Sequence, residues 1–175
     1  MAVEDGGSLG KNKDIESGTP TNIMTEDTYK SLKRSREDAE KHLREALKSI
    51  GEAGDTSDWH DNFAFDEAHR QVDFWSSVIR MRSSQLKNVI FIQPRVETDR
   101  VGLGNAVELE FDNTGGSETF LVLGPIDTVF REDSLSYQTP IGQRILGQPA
   151  GKTIEFSNDD QKVKVKIIKI LPGNF

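Results

Sequence analysis

Two continuous stretches of heptad spacing constrain the fold of this chain more than any other feature. Their core positions are Tyr29, Leu32, Arg36, Ala39, Leu43, Ala46 and Ile50, then Phe65, Ala68, Val72, Trp75, Ile79, Arg82, Leu86 and Val89. Apart from Arg36 and Arg82, these residues are apolar and recur at alternating intervals of three and four, which is typical of a coiled-coil seam. Because a turn containing Gly51 and Gly54 separates the stretches, the pattern predicts an antiparallel helical hairpin. Arms of roughly 27 residues would reach about 40 Å at 1.5 Å per residue.

After Asn88 the apolar pattern changes to a period of two. Apolar and acidic residues alternate from Val107 to Phe111, which predicts a half-buried strand. A turn at residues 113–116 leads to a return strand at 120–123, and the alternation at 163–170 predicts the last strand. The lysines of the last strand form one face, which we interpret as solvation or protection of a sheet edge.

Composition divides the chain into three segments. Residues 1–22 are rich in Gly, Ser, Thr and charge and have few apolar residues to bury, so we predict a disordered tail. The hairpin occupies residues 23–90, with Thr25 as the N-cap of its first helix. Residues 91–175 form a small antiparallel β domain with one short helix. The predicted fold class is therefore α+β.

The bulk composition narrows the functional classes. There is no apolar run long enough to span a membrane, so we expect no membrane contact. The N-terminus lacks the basic start and apolar stretch of a secretory signal, which favours a cytoplasmic location. The absence of Cys excludes disulfides and thiolate metal sites. A sequence pI near 5.0 argues against an autonomous DNA-binding protein.

The turn between the two heptad stretches carries most of the net charge. Between Ser49 and His69 there are six acids and no Lys or Arg, namely Glu52, Asp55, Asp58, Asp61, Asp66 and Glu67. Their charge of −6 is nearly the net charge of −7 of the whole chain. Acids in a turn usually just face solvent and have no further function. At the end of a long rod, however, the cluster is a localised negative end rather than a diffuse acidic surface.

A second motif lies in the β domain at residues 139–147. Thr139 is placed to cap a helix, Pro140 suits the first helical position, and Gly147 suits the position after the helix ends. The motif therefore predicts a short helix with both ends defined.

Both motifs resemble segments of the Gre family, the bacterial transcript-cleavage and elongation factors of the GreA and GreB type. The family's tip has an acid, two residues, an acid and Asn, and it is matched by Asp58-Trp-His-Asp61-Asn62. The family's Ser-Pro-Ile/Leu-Gly/Ala segment, which closes on Leu-Gly, is matched by Thr139-Pro140-Ile141-Gly142 and Leu146-Gly147. The resemblance covers roughly residues 24 to 171.

The resemblance implies a coiled coil followed by an FKBP-like domain that docks on RNA polymerase. The docking residues would be Thr139, Pro140, Ile141, Gly142, Leu146 and Gly147. The coiled coil would enter the secondary channel of the polymerase and bring its tip to the active site, where the 3′ end of backtracked RNA is cut. The chain would be a monomer with no cofactor of its own, and it would not be an enzyme by itself.

At the tip, the resemblance assigns Asp58 and Asp61 to a Mg²⁺ shared with RNA polymerase, with Asp55, Trp59 and Asn62 in support. Mg²⁺ binds through one or two carboxylates together with phosphate oxygens and water. If the second helix begins before Asp58, a spacing of three places Asp58 and Asp61 on one helix face. Asp55 remains open as the first acid, because Gly54-Asp55 also resembles a Gly-Asp step of the family.

Two other functions stay open from the sequence. A binding-only regulator would occupy the same channel without stimulating cleavage, and Asp61 favours this because the family commonly has the longer Glu there. A prolyl isomerase of FKBP type would need an aromatic-lined pocket. The β domain has no Trp, and several of its aromatic residues are needed for the core.

Overall fold

A helical hairpin precedes a β domain, which confirms the predicted fold class. The structure is a computed structural model and describes residues 22–54, 63–112, 115–158 and 161–175. In chain order the elements are β1 (Asn22–Met24), α1 (Glu26–Gly54), α2 (Phe63–Gln85), β2 (Val89–Phe91), β3 (Ala106–Phe111), β4 (Ser117–Leu123), a 3-10 helix (Asp127–Val129), β5 (Ser134–Ser136), α3 (Pro140–Ile145), β6 (Thr153–Asn158) and β7 (Gln161–Leu171). The predicted tail lies outside the described residues, except for Asn22 in β1.

The heptad pattern is confirmed as the seam between α1 and α2. Leu32, Ala39 and Ala68 are buried in it. Trp75 of α2 stacks on His42 of α1, with the ring centroids 4.6 Å apart. The longer arm, α1, has 29 residues, so it spans about 44 Å at 1.5 Å per residue.

The two arginines that interrupt the seam are half-buried. Nε of Arg36 lies 3.2 Å from a carboxylate oxygen of Glu40. The guanidinium of Arg82 lies 5.8 Å from the ring centre of Phe130 in the β domain. Arg82 therefore stands near the open end of the hairpin, where its guanidinium lies against the β domain and its Nε is buried.

The second heptad stretch extends beyond its helix, which corrects the predicted seam. Because α2 ends at Gln85, the seam positions Leu86 and Val89 are not helical. Asn88 takes a left-handed φ of 49°, a conformation that Asn tolerates better than most residues. Val89 then begins β2. Both apolar side chains still pack beside a buried cluster of Met24, Leu32 and Ile126.

A short parallel sheet at the base of the hairpin was not predicted. β1 pairs with β2, with Asn22 opposite Val89 and Met24 opposite Phe91. Between β1 and α1, the hydroxyl of Thr25 accepts a hydrogen bond from the Thr28 N–H at 3.3 Å, as its predicted role as N-cap requires. The two arms are thus joined by this sheet as well as by the seam.

Strands β3 to β7 form one sheet in the order β5-β4-β3-β7-β6. Its pairs are antiparallel except β4–β5 at the edge, which is parallel. The alternation predicted for β3 is confirmed, since Val107 and Leu109 are buried and Glu110 is exposed. The register between β3 and β7 shifts after Glu108, which leaves Ile168 as the extra residue of a bulge. Strands β5 and β6 were not predicted.

The lysines of β7 lie opposite acids of the neighbouring strands. Lys164 is 3.3 Å from Glu155 of β6. Lys166 pairs in register with Glu110, and Lys169 with Glu108, both on β3. Opposite charges on adjacent strands stabilise a sheet modestly. This arrangement agrees with the interpretation of the lysine face as a solvated surface, whereas the alternative of edge protection is wrong because β7 lies between β3 and β6.

Candidate functional site

The acidic tip itself lies outside the described residues. This applies to Asp55, Asp58, Trp59, Asp61 and Asn62, so their roles stay predictions. The helix ends that flank them are placed: α1 ends at Gly54 and α2 begins at Phe63. Since α1 starts against the β domain and the helices are antiparallel, these ends lie at the far end of the hairpin.

On the α2 side of the tip, Glu67 is engaged by its own helix. It accepts hydrogen bonds from Nε of Arg70 at 3.0 Å and from the Gln71 amide at 2.8 Å. The bonds from Gln71 and Arg70 hold the pKa of Glu67 below its usual value. Asp66 is exposed in the first helical turn, where the helix dipole favours a carboxylate. Asp66 and Glu67 therefore stabilise α2 itself, and the acids before Phe63 remain the candidates for metal binding.

A buried carboxylate fixes the base of the hairpin to the β domain. One oxygen of the fully buried Asp127 accepts hydrogen bonds from the N–H of Thr25 at 2.9 Å and from its hydroxyl at 2.8 Å. The other oxygen accepts from the Gly124 N–H at 3.0 Å. This arrangement, termed the Thr25–Asp127 clasp, was missed by sequence reasoning. The sequence Gly124-Pro-Ile-Asp127 indicates a turn, but no local signal connects it to a residue 102 positions away.

An apolar cluster adjoins the clasp. Met24 and Leu32 of the hairpin are fully buried against Ile126, which precedes Asp127. Tyr29 packs at the edge of this cluster and meets Phe91 edge-to-face, with the ring centroids 5.4 Å apart. Polar and apolar contacts therefore both set the direction in which α1 leaves the β domain.

The short helix α3 has the capping that the sequence predicts. The hydroxyl of Thr139 accepts a hydrogen bond from the Gly142 N–H at 3.1 Å and donates one to the Ser136 carbonyl at 2.8 Å. Pro140 occupies the first turn. A Cβ on Gly142 would collide with the backbone of Ser136 and Tyr137. The close approach of α3 to this loop therefore depends on the glycine.

The six predicted docking residues differ in exposure. Pro140 and Gly147 are exposed, Thr139, Ile141 and Leu146 are half-buried, and Gly142 is buried. Ile141 and Leu146 pack against the core of the β domain. Most residues of the motif therefore hold α3 in place, and few of their side chains are exposed for contact with a partner. The exposed polar side chains on α3 are those of Gln143 and Arg144.

Arg100 fixes the turn that follows α3, although it lies outside the motif. Its guanidinium donates a hydrogen bond to the Gly147 carbonyl at 2.9 Å. The Gly147 N–H donates to the Val101 carbonyl at 2.8 Å. Gly147 has a φ of +74°, which glycine adopts without strain. The end of the α3 segment is therefore held by the chain that leads into β3.

Neither a metal cluster nor a membrane span occurs in the described part of the chain. Within residues 22–54, 63–112, 115–158 and 161–175, no group of three or more His, Asp or Glu is placed to hold a metal ion. Among the helices of the same ranges, none combines the length and apolar character that a membrane span requires.

Known proteins resemble this chain in both of its parts. Residues 96–172 match the family described as "Transcription elongation factor, GreA/GreB, C-term". Transcription elongation factor GreA of Thermomicrobium roseum is 29% identical over 150 residues, which cover 84% of this chain and 95% of that protein. GreA of Mycoplasmopsis pulmonis is 30% identical over 121 residues, which cover 69% of this chain and 76% of that protein.

A solved structure with a similar chain is that of GreA factor homolog 1 (Gfh1) of Thermus thermophilus. It is 22% identical, with a TM-score of 0.41, and the match covers 86% of this chain and 99% of that one.

Proposed function

The chain belongs to the GreA/GreB family of transcription elongation factors, and from this we propose that it binds RNA polymerase and stimulates cleavage of the 3′ end of backtracked RNA. The hairpin would enter the secondary channel of the polymerase, and the β domain would dock at the channel rim through the α3 surface. The nuclease activity would be that of the polymerase, so the chain would not be an enzyme by itself.

The observation that carries this proposal is that the acid-rich segment between Gly54 and Phe63 connects the two helix ends at the far end of a braced rod. The 29 residues of α1 give a reach of about 44 Å. The Thr25–Asp127 clasp and the cluster around Met24 hold the other end of the rod on the β domain. A domain docked on the outside of a large enzyme can in this way present carboxylates deep inside it.

The tip acids are the donors that Mg²⁺ prefers. Asp58 and Asp61 would contribute carboxylate oxygens to a Mg²⁺ that the polymerase also holds, with Asp55 as the alternative first acid. When bound there, Mg²⁺ supplies an activated water and stabilises charge on the phosphate oxygens. Closely spaced carboxylates repel one another, so an intervening cation is favoured. Trp59 and Asn62 would support the turn.

Cleavage in a backtracked elongation complex with Mg²⁺ tests the proposal. The parent chain should accelerate release of the RNA 3′ end, and a variant with Asp58→Ala and Asp61→Ala should return the rate to that of polymerase alone. Asp66→Ala is the matched control, because it removes an acid that serves α2 and should leave stimulation intact. A double variant as active as the parent would exclude the metal role.

A binding-only regulator is the second candidate, and Asp61 is the observation that favours it. Asp is one methylene shorter than the Glu that is common at the matching family position. In that case the chain would inhibit nucleotide addition without accelerating cleavage. Asp61→Glu would then introduce stimulation, whereas a cleavage factor would already show it.

A further inference from the structure

The two helices of the hairpin differ on the faces that point away from the seam. Counting heptads from the seam, the outer face of α1 consists of Asp27, Ser31, Arg34, Asp38, Lys41, Glu45, Lys48 and Glu52. The corresponding outer face of α2 consists of Phe63, Glu67, Arg70, Phe74, Ser77, Met81 and Ser84. The two sets occupy equivalent heptad positions, so they can be compared directly.

The outer face of α1 has the character expected for a solvated helix. Its charges alternate in sign, and Lys41 lies 2.9 Å from Asp38. The outer face of α2 is different, because it exposes large apolar side chains: Phe63 is 70% exposed, Phe74 56% and Met81 48%. Aromatic residues and Met are enriched at protein interfaces relative to the rest of protein surfaces. The α2 face therefore has the composition of a contact surface.

The charges around the part of this face from Phe74 to Ser84 indicate the chemistry of its partner there. No acid occurs between Asp73 and Glu97, whereas Arg80 and Lys87 are exposed cations in that interval. A complementary surface would be apolar with acidic groups at its margin.

A protein surface fits these observations better than an RNA strand. A phosphate track needs several cations that are free to bind. On α2, however, Arg70 pairs with Glu67 at 2.9 Å, and Arg82 donates a hydrogen bond to Gln85 and lies against Phe130. The small side chains of Ser77 and Ser84 would let a neighbouring protein element approach closely.

We propose that the outer face of α2 is the side of the hairpin that packs against the protein wall of the polymerase channel, while the charged face of α1 points to solvent. This inference rests on the proposed function. It adds which side of the rod makes the contact and that the contacted wall is apolar with acidic groups. This contact would fix the rotation of the hairpin about its long axis, and with it the direction in which the tip acids face.

Site-specific crosslinking tests this assignment. The chain contains no Cys, so Ser77→Cys and Lys41→Cys can each carry one benzophenone maleimide. The Trp75–His42 stack places positions 77 and 41 at nearly the same height on opposite sides of the rod. With RNA polymerase, the label at 77 should crosslink to a polymerase subunit several times more efficiently than the label at 41.

The possible outcomes separate this inference from the proposed function. Equal yields, or a higher yield at 41, from chains that co-purify with polymerase would overturn the face assignment alone. A crosslink from 77 to RNA instead of protein would also overturn it. If the unlabelled parent chain does not co-purify with polymerase, the proposed function fails and this inference fails with it.

Charge insertion gives a second, independent readout. Phe74→Glu should weaken polymerase binding about 10-fold or more, as expected for loss of a central aromatic contact. Lys41→Glu, the control on α1, should change it about twofold or less. Because Phe74 also meets Trp75 edge-to-face, helical content is checked by circular dichroism. Ser77→Glu, which lies farther from the seam and also places an acid against the acidic wall, should reproduce the loss. Binding by both α2 variants at parental affinity would refute the assignment.

Discussion

Replacing Asp127 with Ala should destabilise the protein strongly, because three buried donors lose the carboxylate that accepts their hydrogen bonds. These donors are the N–H and hydroxyl of Thr25 and the N–H of Gly124. Among the described residues, only the Thr25 hydroxyl has another acceptor within reach, the Thr28 hydroxyl at 3.1 Å. An unsatisfied buried donor costs about 1–3 kcal/mol. Water that enters the space left by the carboxylate recovers part of this cost. We therefore expect the free energy of unfolding to fall by about 3–5 kcal/mol. Asp127→Asn keeps one acceptor oxygen but turns an NH₂ group toward a donor, so it should cost about 2 kcal/mol.

Urea unfolding followed by far-UV circular dichroism measures these differences, and a double-mutant cycle with Thr25→Val isolates the pair. Thr25→Val removes the hydroxyl that donates to Asp127 and also caps α1. If the clasp is real, the two substitutions together should cost at least about 1 kcal/mol less than the sum of the single ones. The reasoning is refuted if Asp127→Ala costs less than about 1 kcal/mol, or if the two effects simply add.

Two further stability predictions concern the β domain. Hydrogen bonds from Arg131 hold the pKa of Asp133 below its usual value, so this exposed pair stabilises the fold above the unfolded-state pKa of about 3.9 and loses its effect as the pH falls through the lower folded-state pKa. Asp133→Asn should therefore cost about 0.2–1 kcal/mol at pH 7, with the difference from the parent vanishing in acid; a constant difference across the pH range would contradict this. Asn105→Leu should lower the free energy of unfolding, measured in urea, by about 2–4 kcal/mol. It removes the hydrogen-bond partner of the Gly102 N–H and of the Glu97 carbonyl, each 2.9 Å from Asn105. A cost below about 1 kcal/mol would show that water replaces both bonds.

The hairpin and α3 could be predicted because their signals are local. Heptad spacing records which residues of each helix face the partner helix, and it identified buried positions such as Leu32 and Ala39. The two ends of α3 could also be predicted from single residues. Thr139 satisfies a free N–H of the first turn, and Gly147 adopts the positive φ that follows the helix.

The elements that sequence reasoning missed depend on contacts between distant segments. β1 and β2 have three residues each, too few to show an alternation. The role of Asp127 follows only from its position beside Thr25 in the folded chain. The end of α2 was misplaced for a related reason. Leu86 and Val89 pack in the same cluster as Leu32, so burial continues in heptad phase after the helical backbone has ended.

The Mg²⁺ dependence of RNA cleavage in a backtracked complex tests most directly whether the tip carboxylates secure a metal ion for the polymerase. The cleavage rate is measured against Mg²⁺ concentration with polymerase alone, with the parent chain and with Asp61→Ala. The parent chain should lower the Mg²⁺ concentration that gives half-maximal rate, and Asp61→Ala should raise it again by roughly 10-fold or more. The same half-maximal Mg²⁺ concentration in all three reactions would contradict metal binding by the tip.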